Sequence, residues 1–147
     1  MDARLTINGV ERVLGHKALE SVAFWLEDEP ENSEIFHELA GSGSSEVRAA
    51  VAGNTHLSRE TFRRLIEDTS VEVLRTIIVS DEARAHMTRR DLECLIAAGD
   101  RDILTALAND LESFSGTFQI CEKEWLCERL ARHSDPAVRF GLAKNTA

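Results

Sequence analysis

The residues of this chain that could do chemistry are three cysteines, five histidines and a central group of arginines. Cys121, Cys127 and His133 are spaced six apart, but structural zinc sites need four ligands at tighter spacing. Cys94 is a candidate exposed thiol, and no histidine can be paired with it to activate it as a nucleophile. No glycine-rich phosphate loop or serine elbow is present. The sequence therefore predicts neither an enzyme nor a metal or cofactor site.

Seven arginines fall in the middle of the chain, where they could form a basic stripe for nucleic acid. Acidic residues are interleaved with them, and the whole chain has a net charge of −9 and a pI near 5.0. Nucleic-acid binding is disfavoured because it needs a basic surface, so we expect surface ion pairs instead. These residues are Arg59, Arg63, Arg64, Arg75, Arg84, Arg89 and Arg90.

The elements that position these residues repeat four times. In each repeat a leucine is followed eight positions later by a branched apolar residue. Apolar residues three before and one after the leucine give the spacing of a short helix. Repetition at a period of roughly 20 to 50 residues indicates a solenoid, whose units bury their apolar faces by stacking. The pairs are Leu39 and Val47, Leu65 and Val73, Leu95 and Ile103, and Leu130 and Val138.

Each repeat is predicted to hold two helices, because two sets of helix-capping residues recur in register. Asn32, Ser58 and Thr88 precede the first helix, and Lys123 stands there in the fourth repeat, whose start is displaced or irregular. A second helix is expected after four residues that are good N-caps. A strand is the alternative for residues 71–79, which are rich in branched side chains. The four caps are Ser44, Ser70, Asp100 and Asp135.

Residues 1–31 do not fit the repeat and are expected to form an N-terminal helical cap with a polar outer face. Asn8 and Gly9 mark a turn, and the apolar residues that follow have roughly helical spacing. Those residues are Val10, Leu14, Leu19, Val22, Ala23 and Leu26. The predicted fold is all-α: a short right-handed α-solenoid of about four helical pairs on this cap, forming one continuous domain. The units are 32–54, 55–80, 81–110 and 111–147.

Two stretches resemble the Asp-Pro-x-x-Val-Arg-x-x-x-Ala-x-Asn core of the leucine-rich repeat variant (LRV) family and of HEAT-like repeats. They run over 44–54 and 134–145, and residues 58–80 resemble the same pattern with a displacement of one position. The resemblance implies an α-solenoid that scaffolds protein partners. It also implies that Arg48, Asp135 and Arg139 act in structure, bridging or capping adjacent units.

Two departures from the family pattern limit what the resemblance carries over. Leu74 and Leu104 replace the arginine in the second and third units. Some family members hold an iron–sulfur cluster on N-terminal cysteines, but this chain has no cysteine before Cys94. No cofactor is therefore expected.

The N-terminal part of the chain is strongly acidic. Residues 1–46 hold ten acidic and three basic side chains, which gives −7 of the total −9. A run of carboxylates ahead of the first repeat fits the chemistry of a helix start and a solvated face. The alternative is a patch that attracts a basic partner. The run consists of Glu27, Asp28, Glu29 and Glu31.

The fourth repeat breaks its own pattern with aromatic residues. Trp125 and Phe140 occupy columns that are polar or small in the other units, and Phe114 and Phe118 lie in the longer connection before it. One interpretation is that this connection folds over the aromatic side chains and closes the local core. The other is a partner-binding surface, because aromatic residues dominate interface energetics.

The function expected from these features is that of a non-catalytic protein–protein interaction module of bacterial type, located in the cytoplasm. No apolar run is long enough for a membrane span, no signal peptide is evident, and no disulfide framework is indicated. The alternative is a stoichiometric inhibitor, such as an immunity or antitoxin protein that binds a basic enzyme. Nucleic-acid binding or enzymatic activity is less favoured, and self-association through the C-terminal end is a further option.

Overall fold

The computed structural model describes residues 3–80, 87–109, 111 and 120–145, and they form one hairpin and nine α-helices. None of these helices has the length and apolar character that a membrane crossing needs. The predicted all-α class is thus confirmed as a mostly helical fold. The strands are β1 (Arg4–Ile7) and β2 (Val10–Val13). The helices are α1 (His16–Trp25), α2 (Ser33–Leu39), α3 (Ser45–Ala52), α4 (Arg59–Ile66), α5 (Val71–Val79), α6 (Arg89–Ala98), α7 (Arg101–Asn109), α8 (Ile120–Ala131) and α9 (Pro136–Asn145).

The hairpin differs from the helical cap that was expected at the N-terminus. β1 and β2 pair antiparallel, with Ile7 opposite Val10. Asn8 and Gly9 between them have φ angles of 51° and 78°, as a two-residue type I′ turn requires. The helical spacing that included Val10 was therefore misleading, because an Asn-Gly pair between two extended apolar segments closes a hairpin. The helical part of the N-terminal segment is α1, followed by a short 3-10 turn.

In the first three pairs, the first helix starts at the predicted cap position, although Asn32 makes no side-chain cap hydrogen bond to α2. α2, α4 and α6 begin one residue after Asn32, Ser58 and Thr88. Ser58 Oγ accepts the backbone N–H of Thr61 at 3.1 Å. Thr88 forms a capping box with Asp91, whose carboxylate accepts the Thr88 backbone N–H at 2.7 Å. The starts of α4 and α6 were predictable because each depends on only a few consecutive residues.

The second helices, α3, α5, α7 and α9, also follow the predicted caps. Ser44, Asp100 and Asp135 each accept a backbone N–H from the first turn of the helix that follows. Ser70 stands at the cap position of α5 without a side-chain hydrogen bond of this kind. Its own N–H instead donates to Asp68 Oδ1 at 2.7 Å. A carboxylate in the loop thus orders the start of α5.

Two alternatives that the sequence left open are decided by the structure. Residues 71–79 form helix α5, so the strand interpretation is wrong. In the fourth pair, α8 begins at Ile120, ahead of Lys123, which explains why the cap column fails there. Gly99 ends α6 in the left-handed conformation with φ 68°, a position where glycine avoids the steric cost of a side chain.

The core follows the fourfold pattern of the sequence. All four leucines and all four branched residues of the pattern are buried. Each second helix contacts the first helix of its own pair, namely α2 with α3, α4 with α5, α6 with α7 and α8 with α9. The second helices also contact one another in sequence order, α3 with α5, α5 with α7 and α7 with α9, and α1 packs on α3 in the same series. The apolar core therefore runs continuously from α1 to α9.

An ion pair joins the first two helical pairs. Arg48 of α3 reaches the loop before α5, where Nε and Nη2 donate to the two carboxylate oxygens of Asp68 at 2.6 and 3.0 Å. Arg48 also donates to the carbonyl oxygen of Ser42 at 2.8 Å. Partial burial raises the pKa of Asp68, but the hydrogen bonds from Arg48 and from backbone N–H groups outweigh it, and the pKa lies below its ordinary value.

Equivalent ion pairs join the later pairs, although the arginine comes from a different helix position each time. Arg75, in the middle of α5, donates to both oxygens of Asp100 at 3.1 and 2.8 Å. Arg101, the first residue of α7, lies 3.1 Å from Asp135. The leucines at positions 74 and 104 thus do not remove the connection between neighbouring pairs. We call these contacts the interpair ion pairs: Arg48–Asp68, Arg75–Asp100 and Arg101–Asp135.

Replacing Asp68 with asparagine is expected to lower the free energy of unfolding by about 2 to 3 kcal/mol, because Arg48 keeps its charge in a mostly buried place. Urea unfolding followed by circular dichroism measures the change. Glu67→Gln is the matched control, since Glu67 pairs with Arg90 on the exposed surface, and it should stay within about 0.5 kcal/mol of the wild type.

The effect of Asp68→Asn on stability is expected to depend on pH. Because the folded-state pKa of Asp68 is lowered, its contribution to stability is present above the unfolded-state pKa of about 3.9 and is lost as the pH falls through the folded value. The stability difference between wild type and Asp68→Asn should therefore narrow below about pH 4. A difference that stays constant from neutral to acidic pH would contradict the assignment.

Candidate functional site

Trp125 lies on α8, where its ring connects this helix to α6. The guanidinium carbon of Arg89, at the start of α6, lies 4.6 Å from the ring centroid. Such a cation–π contact contributes roughly 0.5 to 1 kcal/mol at a partly exposed site. Arg89 Nε also donates to Glu93 at 3.2 Å, one turn further along α6. Trp125 is half-buried against the core, so its position is fixed while part of the ring stays accessible.

An open cleft of about 570 Å³ lies beside Trp125, formed by α6, α7, α8 and the loop after α8. A second depression of about 420 Å³ adjoins it and shares Ile96, Trp125 and Arg129. Clefts of this size accept one or two side chains or a small ligand. The apolar lining residues besides the tryptophan are Ile96, Leu104 and Leu130, and the polar ones include Glu128, Arg129, Arg132 and His133.

The polar side of the cleft offers more hydrogen-bond donors than acceptors. Arg129 and Arg132 are exposed and form no ion pair with any described residue. Nδ1 of His133 accepts the backbone N–H of Asp135 at 3.1 Å, which places the proton of a neutral ring on Nε2. Arg139 donates to the carbonyl oxygen of His133 at 2.6 Å and so supports the loop. This arrangement suits a carboxylate that lies next to an apolar group.

The other aromatic residues predicted for partner binding do not extend this cleft. Phe140 lies on α9 and is 63% exposed, and the Lys144 ammonium is 4.8 Å from its ring centroid. Phe140 lines neither of the two depressions. Phe114 and Phe118 lie outside the described residues, so their predicted role in binding, and the alternative of a connection folded over the aromatic core, both stay predictions.

Within the acidic run, Asp28 has a structural contact that the sequence did not indicate. Its carboxylate accepts hydrogen bonds from the backbone N–H and the hydroxyl of Thr55, at 2.7 and 2.6 Å. It also accepts the backbone N–H of His56 at 2.9 Å. Partial burial raises the pKa of Asp28, but these hydrogen bonds outweigh it and leave the pKa below its ordinary value. Asp28 therefore ties the segment after α1 to the loop between α3 and α4.

The remaining acidic residues of the run stay available to a partner. Glu27, Glu29 and Glu31 are exposed and form no ion pair among the described residues. The backbone carbonyl of Glu27 accepts the side-chain amide of Asn32 at 2.8 Å, so the peptide chain is held while the glutamate side chains are not. Three of the four carboxylates predicted for the acidic patch are thus exposed and without an ion pair among the described residues, and the role of the patch in binding stays a prediction.

Among the described residues, the most exposed aromatic side chains belong to a pair that the sequence did not single out. Phe24 and Trp25, at the end of α1, are 71% and 79% exposed. Their rings meet edge to face, with centroids 5.3 Å apart and an angle of 86° between the planes. The available signal was that both residues fall outside the helical stripe of Leu19 and Ala23. Large apolar residues outside the buried stripe of a helix indicate an interaction surface.

The described cysteines and central arginines give little support to a reactive thiol, a metal site or a basic stripe for nucleic acid. Cys94 is half-buried rather than exposed as expected. Burial raises the pKa of Cys127, which packs against the core. Within the described residues, no three or more His, Cys, Asp or Glu side chains lie close enough together to hold a metal ion. Among the arginines, Arg75 and Arg89 are paired as described above, Arg90 pairs with Glu67, and Arg84 lies outside the described residues.

Replacing Asp28 with asparagine is expected to destabilise the fold by about 1 to 2 kcal/mol, because an amide satisfies the donors of Thr55 and His56 less well than a carboxylate. Urea unfolding measures the effect. Glu29→Gln is the matched control, one residue away and exposed, and its stability should not change. Equal stability of the two variants would contradict the structural role of Asp28. Its carboxylate would then count among those available to a partner.

No protein-family model matches the chain, and neither a curated protein nor a solved structure is similar enough to it to count as a match.

Proposed function

We propose that this chain is a non-catalytic protein-binding module of the cytoplasm, built as a right-handed α-solenoid of the LRV or HEAT-like type. The solenoid part of the proposal is supported by the serial contacts of the second helices and by the interpair ion pairs, which recur at each junction. Repeat architectures of this kind depend on contacts between neighbouring units.

The binding part of the proposal rests on one observation, the cleft beside Trp125. Tryptophan and arginine are the side chains most often found at the energetic centres of protein interfaces. Here a fixed indole ring and an apolar floor occur together with the guanidinium groups of Arg129 and Arg132, which form no ion pair within the described part of the chain. A segment that carries a carboxylate next to an apolar side chain fits this combination. Such a segment would insert the apolar group beside Trp125 and direct its carboxylate to the arginines.

A second candidate function is stoichiometric inhibition of a basic enzyme. The supporting observation is the exposed acidic patch of Glu27, Glu29 and Glu31 together with the net charge of −9. Carboxylates concentrated at one end of a molecule accelerate encounter with a cationic partner. This function is distinguished by a tight one-to-one complex, measured by size-exclusion chromatography with light scattering, whose association rate falls steeply as salt is raised.

The cleft is tested by selecting binders from a peptide library on the immobilised protein and measuring their affinities by fluorescence anisotropy. The selected peptides should share an acidic residue next to an apolar one. Trp125→Ala is expected to weaken their binding at least about tenfold, as for a residue at an interface centre, and Arg129→Glu should do the same by reversing the charge.

Phe140→Ala is the matched control, because it removes an exposed aromatic ring that lies outside the cleft. Its affinity for the peptides should match the wild type. Circular dichroism checks that all variants remain helical. Unchanged affinity in a folded Trp125→Ala variant, or failure of the library to give any binder, would argue against the cleft as the binding site.

A further inference from the structure

Helix α1 packs on α3 as the second helices pack on one another, but among the described residues it has no preceding helix to pack against. Each of α3, α5, α7 and α9 packs against the helix directly before it in the chain. In the part of the chain that the structure describes, α1 belongs to the same series because it packs on α3, but a hairpin precedes it instead of a helix. The side chains of Val10–Val13 in that hairpin are all exposed. Arg4, Leu5 and Thr6 are exposed as well, so the described side chains of the hairpin do not supply the missing packing.

This leaves an apolar surface on α1. Leu19 and Ala23 are buried. Ala18, Val22 and Trp25 follow at the i, i+4 and i+7 spacing of one helix face, adjacent to the buried stripe. Ala18 is half-buried, whereas Val22 and Trp25 are exposed, and Phe24 lies against the Trp25 ring. We call Val22, Phe24 and Trp25 the α1 surface. Such a spacing is the one by which a second helix docks against a first.

The charge around the α1 surface limits the kind of helix that fits it. Glu27, Glu29 and Glu31 follow Trp25 within six residues and form no ion pair among the described residues. The carboxyl-terminal end of α1 adds the negative pole of the helix dipole at the same place. A cationic segment is favoured here, and an anionic membrane surface is disfavoured by like charge.

We propose that a partner protein docks a basic amphipathic helix on the α1 surface, in the place where the described residues provide no helix ahead of α1. The apolar side of the partner helix covers Val22, Phe24 and Trp25, and its lysine or arginine residues meet the three glutamates. In this mode of recognition, an amphipathic helix lays its apolar face on an apolar surface of its partner. The site is separate from the Trp125 cleft and does not depend on it. It shares its three glutamates with the second candidate function and adds an apolar contact surface to them.

The probe is a synthetic amphipathic helical peptide with leucine on one face and lysine on the other, titrated into the full chain by isothermal calorimetry. A scrambled peptide of the same composition and a counterpart with glutamate in place of lysine serve as peptide controls. The leucine–lysine helix should bind, and both controls should bind at least about tenfold more weakly, because the site requires both the apolar face and the positive charge.

Trp25→Ala is expected to weaken binding of the leucine–lysine helix about tenfold or more. Its fold should persist, since the ring is 79% exposed, and circular dichroism checks this. Phe140→Ala is the matched control with another exposed ring. Trp125→Ala shows independence from the cleft, because it should impair the acidic library peptides and leave this helix bound. Both control variants should bind within about twofold of the wild type.

Three results would overturn the proposal. The first is equal binding of the scrambled or the glutamate peptide. The second is equal loss of binding in Phe140→Ala, which would indicate nonspecific adsorption to exposed aromatic rings. The third is a dimer in sedimentation equilibrium that Trp25→Ala abolishes, since a second copy of this chain would then cover the α1 surface.

Discussion

The whole structure depends on the fact that its helices are too short to persist alone. They contain seven to twelve residues, and isolated helices below roughly 12 to 15 residues are marginal in water. Each helix must therefore bury an apolar stripe against its neighbours and receive help at its ends. The loop carboxylates Asp100 and Asp135 help at the helix ends and also connect neighbouring helical pairs. Each caps the helix that follows and forms an ion pair with an arginine from the helical pair before it.

The parts of the fold set by local chemistry could be predicted from the sequence. Helix starts at Ser58 and Thr88 follow from hydrogen bonds within three residues, and the buried columns follow from helical spacing. Contacts made by long flexible side chains could not be predicted in this way. Arg75 and Arg101 reach the next loop from different helix positions, which a search of one column misses. The hairpin was missed because its Asn-Gly pair was interpreted only as a turn.

The part of the candidate site that follows from a local sequence pattern could likewise be predicted, and the part that depends on residues distant in sequence could not. Trp125 was found because it breaks a column of the repeat, and the structure places it at the edge of a cleft. The role of Asp28 depends on Thr55 and His56, which lie far away in sequence, so charge alone could not separate it from its glutamate neighbours. Phe24 and Trp25 were overlooked because attention to the buried stripe of a helix omits what lies outside it.

The interpair ion pairs become steadily more exposed to solvent along the chain. The aspartate is 7% exposed in the first, 15% in the second and 26% in the third, and the arginine goes from 16% through 49% to 67%. Exposed ion pairs are screened by salt far more than buried ones. Local opening should therefore have a direction, with amide hydrogen exchange fastest in α9 and slowest around α3 and α5. Raising the ionic strength should then extend this local opening from the last helical pair toward the first.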